Sequence, residues 1–85
     1  MELSSFAARQ KRARDWEAFA REQCQDPAIQ TEIIAAVREY RLALTQCWEE
    51  QRVSPEAAAK IADLERRLTQ LNEEARLRVV GRATL

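Results

Sequence analysis

The sequence contains no histidine, one glycine, two prolines and two cysteines among its 85 residues. Without histidine the chain lacks the commonest general base and the commonest metal ligand, and two cysteines are too few for a four-ligand zinc site. A single glycine leaves no material for a glycine-rich phosphate-binding loop. These absences argue against nucleotide-binding, zinc-dependent and catalytic-triad enzymes. We expect a protein that is not an enzyme and that binds no cofactor, metal or small molecule.

The sequence also lacks an excess of charge of either sign, because 14 basic residues balance 14 acidic ones. This balance removes the strong positive field of a dedicated nucleic-acid binder. No apolar run approaches the ~20 residues that cross a bilayer, and the first residues lack the apolar stretch of a secretory signal. We therefore expect a cytoplasmic protein without membrane contact, in which Cys24 and Cys47 are reduced thiols on neighbouring helices.

Helix-forming residues dominate the composition, which predicts an all-α fold. Two pairs, Asp26-Pro27 and Ser54-Pro55, each combine a capping side chain with a proline. Proline has no backbone N–H, and at the first position of a helix an N–H would have no partner in any case, so each pair marks a helix start. They predict three helices, at about residues 5–23, 27–52 and 55–80, with Gly81 as the left-handed residue that ends the third. We expect a single helical domain over residues 1–85, with 1–12 loosely docked and 81–85 a flexible tail.

The second and third predicted helices each carry a narrow apolar seam with the spacing of coiled-coil packing. A linker this short makes the two helices antiparallel neighbours, so that the seams meet layer by layer. The seam residues are Ile33, Val37, Tyr40, Leu44 and Cys47 in the second helix and Ala57, Ile61, Leu64, Leu68, Leu71 and Ala75 in the third. Because a hairpin leaves one flank of its core open, we expect either a three-helix bundle or a helical dimer.

A basic stretch, RQKRAR, occupies residues 9–14 and includes Arg9, Lys11, Arg12 and Arg14. In one interpretation these side chains contact phosphates or an acidic protein surface; in the other they are a solvated helix face balanced by nearby acids. Two-fold symmetry would double the stretch, and phosphate affinity rises steeply with the number of contacts. The stretch therefore supports an alternative hypothesis, a dimeric helical-bundle regulator that binds nucleic acid.

Three large apolar residues fall outside the predicted seams. Trp48 lies at the edge of the second helix's seam, while Leu42 and Leu77 lie on the far sides of their helices. Half-buried tryptophans and exposed leucines recur at protein interfaces. Trp48 is a candidate for contact with the first helix of its own chain or with another protein. Leu42 and Leu77 are either ordinary exposed leucines or part of a second interface.

Glu49 and Glu50 lie in the last turn of the second helix, where the helix dipole disfavours negative charge. In one interpretation they pair with Lys60 across the hairpin or with a basic partner; in the other they are solvated and contribute only to solubility.

Residues 33–80 resemble the helical hairpins of type III secretion needle co-chaperones, in which two antiparallel helices turn at a Pro-Glu pair, here Pro55 and Glu56. The chain departs from that pattern by its additional first helix. Small phage-encoded inhibitors of host or defence proteins fit the same composition. The leading hypothesis is a small interaction module, such as an adaptor, co-chaperone or inhibitor, whose partner is another protein, a second copy of the chain, or both.

Overall fold

The structure, a computed structural model, describes the backbone of residues 5–83 and the side chains of residues 5–77. It contains three α-helices, α1 (Phe6–Glu22), α2 (Pro27–Glu50) and α3 (Pro55–Ala83). The elongated bundle measures 49 × 19 × 18 Å along its principal axes. The described part of the chain has no helix that is both long enough and apolar enough to cross a membrane.

Both predicted capping pairs begin helices in the structure. The Asp26 carboxylate accepts hydrogen bonds from the backbone N–H groups of Ala28 and Ile29, at 2.9 and 3.3 Å. The Ser54 hydroxyl accepts one from the N–H of Ala57 at 3.1 Å. Each cap satisfies N–H groups that have no carbonyl partner within the helix.

The predicted ends of α2 and α3 require correction. Gln51 adopts a left-handed backbone conformation with φ of 53°, so α2 ends at Glu50 and not at residue 52. The helix α3 continues through Gly81 to Ala83, so Gly81 lies within it and does not end it. A single glycine weakens a helix by only about 1 kcal/mol, which the flanking helix formers tolerate. Residues 81–83 are therefore helical, while residues 84 and 85 of the predicted tail lie outside the described residues.

The helices α2 and α3 form the predicted antiparallel hairpin, and their seams are its core. Ten of the eleven predicted seam residues are buried, and the eleventh, Ala57, is half-buried against them. Tyr40 and Leu68 are completely buried, as the layer-by-layer pairing of the two helices requires. The periodicity of the sequence therefore predicted this packing correctly.

The first helix closes the open flank by packing mainly on α2. It contributes Phe6, Ala13 and Ala20 to the core, and Trp16 and Phe19 pack half-buried against it. Phe6 is only 3% exposed in the structure, and the loose docking expected for residues 1–12 stays a prediction. Residues 1–4 of that segment lie outside the described residues. The single chain thus forms the three-helix bundle, one of the two predicted closures.

Candidate functional site

A groove between the start of α1 and the end of α2 opens on the bundle surface, with a volume of about 270 Å³. We call it the α1–α2 groove. It is lined by Phe6, Ala7, Gln10, Leu44, Thr45 and Trp48. Most of this wall is aliphatic or aromatic, and Gln10 and Thr45 are its polar members. An apolar concavity of this kind suits an apolar side chain from another molecule.

Trp48 forms one wall of the groove and remains 54% exposed. It follows Leu44 by one helical turn on the same side of α2. Phe6, the first residue of α1, lines the groove together with Leu44 and Trp48. Trp48 therefore lies where the described part of α1 begins.

Leu42 and Leu77 are exposed on α2 and α3, by 59% and 71% respectively. Leu42 precedes Trp48 by six residues, so it lies about 120° away around α2, on the flank away from the groove. Leu77 lies 22 residues after Pro55, roughly 33 Å along α3 at ~1.5 Å per residue, and so far from the hairpin turn. The structure therefore does not gather Leu42, Trp48 and Leu77 into one apolar patch.

Glu49 and Glu50 are exposed in the last turn of α2, beside Trp48. That turn contains no basic residue. Among the described residues, no ion pair joins either carboxylate to Lys60, the intramolecular partner that the sequence offered. Both carboxylates thus remain available to a partner.

The basic stretch is largely engaged within the chain. Arg9 forms an ion pair with Glu65 of α3, and Arg12 lies 3.6 Å from the same carboxylate. Lys11 lies 3.9 Å from Asp15 on its own helix. Of the four candidate cations only Arg14 has no ion pair among the described residues. The structure therefore does not present the stretch as a continuous row of free cations.

Glu65 is the residue that the sequence analysis missed. It follows Leu64 of the seam, so the helical repeat places it at the seam's edge, where its side chain is 21% exposed. That position between α1 and α3 allows one carboxylate to meet two arginines. A shallow depression of about 360 Å³ lies over this ion pair, lined by Ser5, Ala8, Arg9, Arg12 and Glu65. Because Glu65 partly neutralises the arginines, this depression is a poor anion site.

Tyr40 lies beneath this ion pair at the junction of the helices. Its ring packs on Trp16, with centroids 5.9 Å apart, and the Arg12 guanidinium lies 5.6 Å from the centroid of Trp16. The buried hydroxyl makes no hydrogen bond of normal geometry among the described residues, but the Arg9 guanidinium acts on it both by its charge and as a nearby N–H donor. Burial raises the pKa of Tyr40 above its ordinary value near 10, and the positive charges of Arg9 and Arg12 oppose that rise.

The thiols of Cys24 and Cys47 are free, the first half-buried and the second buried. The described residues contain no group of three or more Cys, Asp or Glu side chains placed to hold a metal ion. Comparisons of the chain with protein-family models, with curated proteins and with solved structures found no match. The arrangement of side chains is therefore the basis for the functional proposal.

Proposed function

We propose that this protein is a small, non-enzymatic interaction module that binds a protein partner through the surface formed by α1 and α2. The observation that carries the proposal is Trp48, which is 54% exposed at the wall of an apolar groove. Tryptophan is enriched among the few residues that dominate binding energy, because it buries a large rigid surface at small entropic cost. A half-exposed tryptophan beside an apolar concavity is the arrangement expected of such a residue.

The charges around the groove support a protein partner over a nucleic acid. Glu49 and Glu50 flank Trp48, and their negative charge would repel a phosphate backbone. Within the basic stretch of residues 9–14, Arg9 and Arg12 are paired with Glu65, which weakens their attraction for phosphates. Adaptor, co-chaperone and inhibitor are all roles in which such a module acts by presenting a helical surface. The proposal places it in the cytoplasm, where cellular reductants keep thiols such as Cys24 and Cys47 reduced.

Site-specific photo-crosslinking tests the proposal. A photoreactive phenylalanine analogue replaces Trp48 in the full chain, expressed in its native cells, and cross-linked products are identified by mass. A matched variant carries the same analogue at Ala62, which is exposed on α3. We expect a discrete protein adduct from position 48 and none of that mass from position 62.

Two outcomes would contradict the proposal. One is the absence of any protein adduct from position 48 while the variant remains helical by circular dichroism. The other is the same set of adducts from both positions, since that pattern reports random collisions and not a binding surface.

A further inference from the structure

The exposed face of α2 has opposite charges at its two ends. The face is centred on Thr45 and consists of the exposed α2 residues that project to the same side of the helix when it is viewed down its axis. These residues are Arg38, Arg41, Leu42, Trp48 and Glu49. Arg41 precedes Thr45 by four residues, and Glu49 follows it by four. At ~1.5 Å per residue each charge lies about 6 Å from Thr45 along the helix axis. The face is therefore basic on one side of Thr45 and acidic on the other.

None of these charges has an ionic partner within the described chain. Arg41 donates a hydrogen bond of 3.3 Å to the side-chain oxygen of Gln10, and no ion pair among the described residues includes it. Glu49 lies in the last turn of α2, where exposed carbonyl groups and the helix dipole already present negative charge. A cation supplied by another molecule would relieve this local repulsion.

We infer that the partner of this surface is a second copy of the chain, with two α2 helices packed antiparallel about a two-fold axis at Thr45. This inference rests on the proposed function, because it assigns the partner of the same surface. In this arrangement Arg41 of each copy lies opposite Glu49 of the other, which makes two equivalent ion pairs. A face that is basic on one side and acidic on the other is complementary to itself only in the antiparallel orientation.

The remaining residues of the face fit the same arrangement. Arg38 of each copy lies level with Arg52 of the other copy, near the C-terminal end of its α2, where the helix dipole favours a cation and the charge of Arg52 opposes one. Trp48 of one copy lies on the same flank as Arg41 of the other, so its ring is available for a cation–π contact. Leu42 borders the opposite flank, where the second copy shields part of its side chain from water. The apolar groove beside Trp48 lies at the edge of this interface.

The size of the face sets the expected strength of the dimer. Stable interfaces bury about 800 Å² on each partner and involve some 20–30 residues a side. The exposed face of α2, together with the neighbouring edge of α1, offers a smaller area than such an interface. We therefore expect a reversible dimer with a dissociation constant in the micromolar range, about 8 kcal/mol of binding free energy.

A charge-swap experiment tests the register directly. Sedimentation equilibrium of the full chain is compared with that of Arg41→Glu and Glu49→Arg, each over a concentration series that reaches high micromolar values. Each single variant replaces two attractions with two repulsions, so we expect its dimer to weaken at least about tenfold. The double variant restores both attractions, and we expect it to dimerise like the original chain.

An equimolar mixture of the two single variants gives the sharpest result. One variant then carries two glutamates at positions 41 and 49, and the other carries two arginines. We expect them to form a heterodimer that is tighter than either homodimer. If the partner were a different protein, mixing the two variants would not restore association.

Glu39→Arg is the matched control, because Glu39 is an exposed carboxylate on α2, about 120° around the helix from the centre of the face. It makes the same charge change as Glu49→Arg, and we expect dimerisation to stay within about twofold of the original chain. All variants are checked for unchanged helicity by circular dichroism.

The outcomes separate this inference from the proposed function. A chain that stays monomeric throughout, or a mixture that associates no better than its components, overturns the inference. If position 48 nevertheless cross-links to a different protein, the proposed function stands and its partner is that protein. If the chain stays monomeric and position 48 also yields no adduct, both proposals fail.

Discussion

Arg9 of α1 and Glu65 of α3 form an ion pair that joins the first helix to the last. Their side chains are 26% and 21% exposed, so water screens the pair much less than it screens the other ion pairs of the bundle. Arg12 approaches the same carboxylate, which makes Glu65 the shared acceptor of two cations. The pair also covers Tyr40, whose hydroxyl experiences the charge of Arg9.

Replacing Glu65 with Gln should destabilise the fold by about 1–3 kcal/mol, because Arg9 is then left partly buried without its counter-charge. Chemical denaturation followed by circular dichroism measures the change. Asp63→Asn is the matched control, since Asp63 pairs with Arg66 at 3.1 Å on an exposed surface. It should cost less than about 0.5 kcal/mol. Equal effects of the two substitutions would show that the Glu65 pair is as weak as a surface pair.

Tyr40 should ionise above its ordinary pKa near 10, because burial disfavours the phenolate. The sequence has a single tyrosine, so the ultraviolet absorbance of tyrosinate reports this group alone. Arg9→Gln should move the titration to still higher pH, because the positive charge of Arg9 lowers the pKa. A folded chain that titrates at or below pH 10 would contradict the buried placement of the hydroxyl.

The same shift predicts how stability depends on pH. Well below pH 10 Tyr40 is neutral in both the folded and unfolded states, so it adds no pH dependence there. As the pH rises from 10 towards the raised pKa, the unfolded chain ionises first and folding stability is lost. Phenylalanine does not ionise, so Tyr40→Phe should keep the stability that the original chain loses over this pH range. Urea denaturation of the original chain and the variant across the range measures the difference. Parallel pH profiles for the two chains would be inconsistent with the shift.

Replacing Leu68 with Ala should cost about 2–5 kcal/mol, because Leu68 is completely buried in the α2–α3 seam. Thermal and urea denaturation measure the loss. The matched control is Leu42→Ala, the same truncation on α2 at a side chain that is 59% exposed, which should cost less than about 1 kcal/mol. A Leu68→Ala chain as stable as the control would contradict the layered seam.

Asn72 is a polar residue in the core of α3, only 5% exposed. Its amide donates a hydrogen bond of 2.8 Å to the carbonyl of Leu68, and its side-chain oxygen has no partner among the described residues. Because an unsatisfied buried acceptor is costly, Asn72→Leu should raise the free energy of unfolding by about 1 kcal/mol. Differential scanning calorimetry tests this expectation. A lower melting temperature for Asn72→Leu would indicate that the amide has a partner that stabilises the fold.

The hairpin was predictable because its determinants are local. A capping side chain followed by proline starts a helix whatever surrounds it, so Pro27 and Pro55 were identified from sequence alone. Seam periodicity then fixed which side of α2 faces α3. Gly81 shows the limit of such signals, because a glycine permits a helix to end without requiring it.

The polar contacts between helices were not predictable. The clustered arginines of residues 9–14 are as typical of a nucleic-acid surface as of a solvated face, and the sequence does not show which charge on a distant helix meets them. Glu65 lies 56 residues after Arg9, and only the packing of α1 against α3 brings their side chains together. The exposure of Trp48 likewise depends on where α1 begins relative to the end of α2.

By itself the sequence determined the helical class, the helix starts and the two seams, because these follow from backbone capping and from the 3.6-residue repeat. The tertiary structure decided that α1 closes the bundle, that Glu65 neutralises two arginines, and that Trp48 remains exposed beside an apolar groove. These features depend on the relative translation and rotation of whole helices. That arrangement is set by the summed packing of many side chains, which no short stretch of sequence encodes.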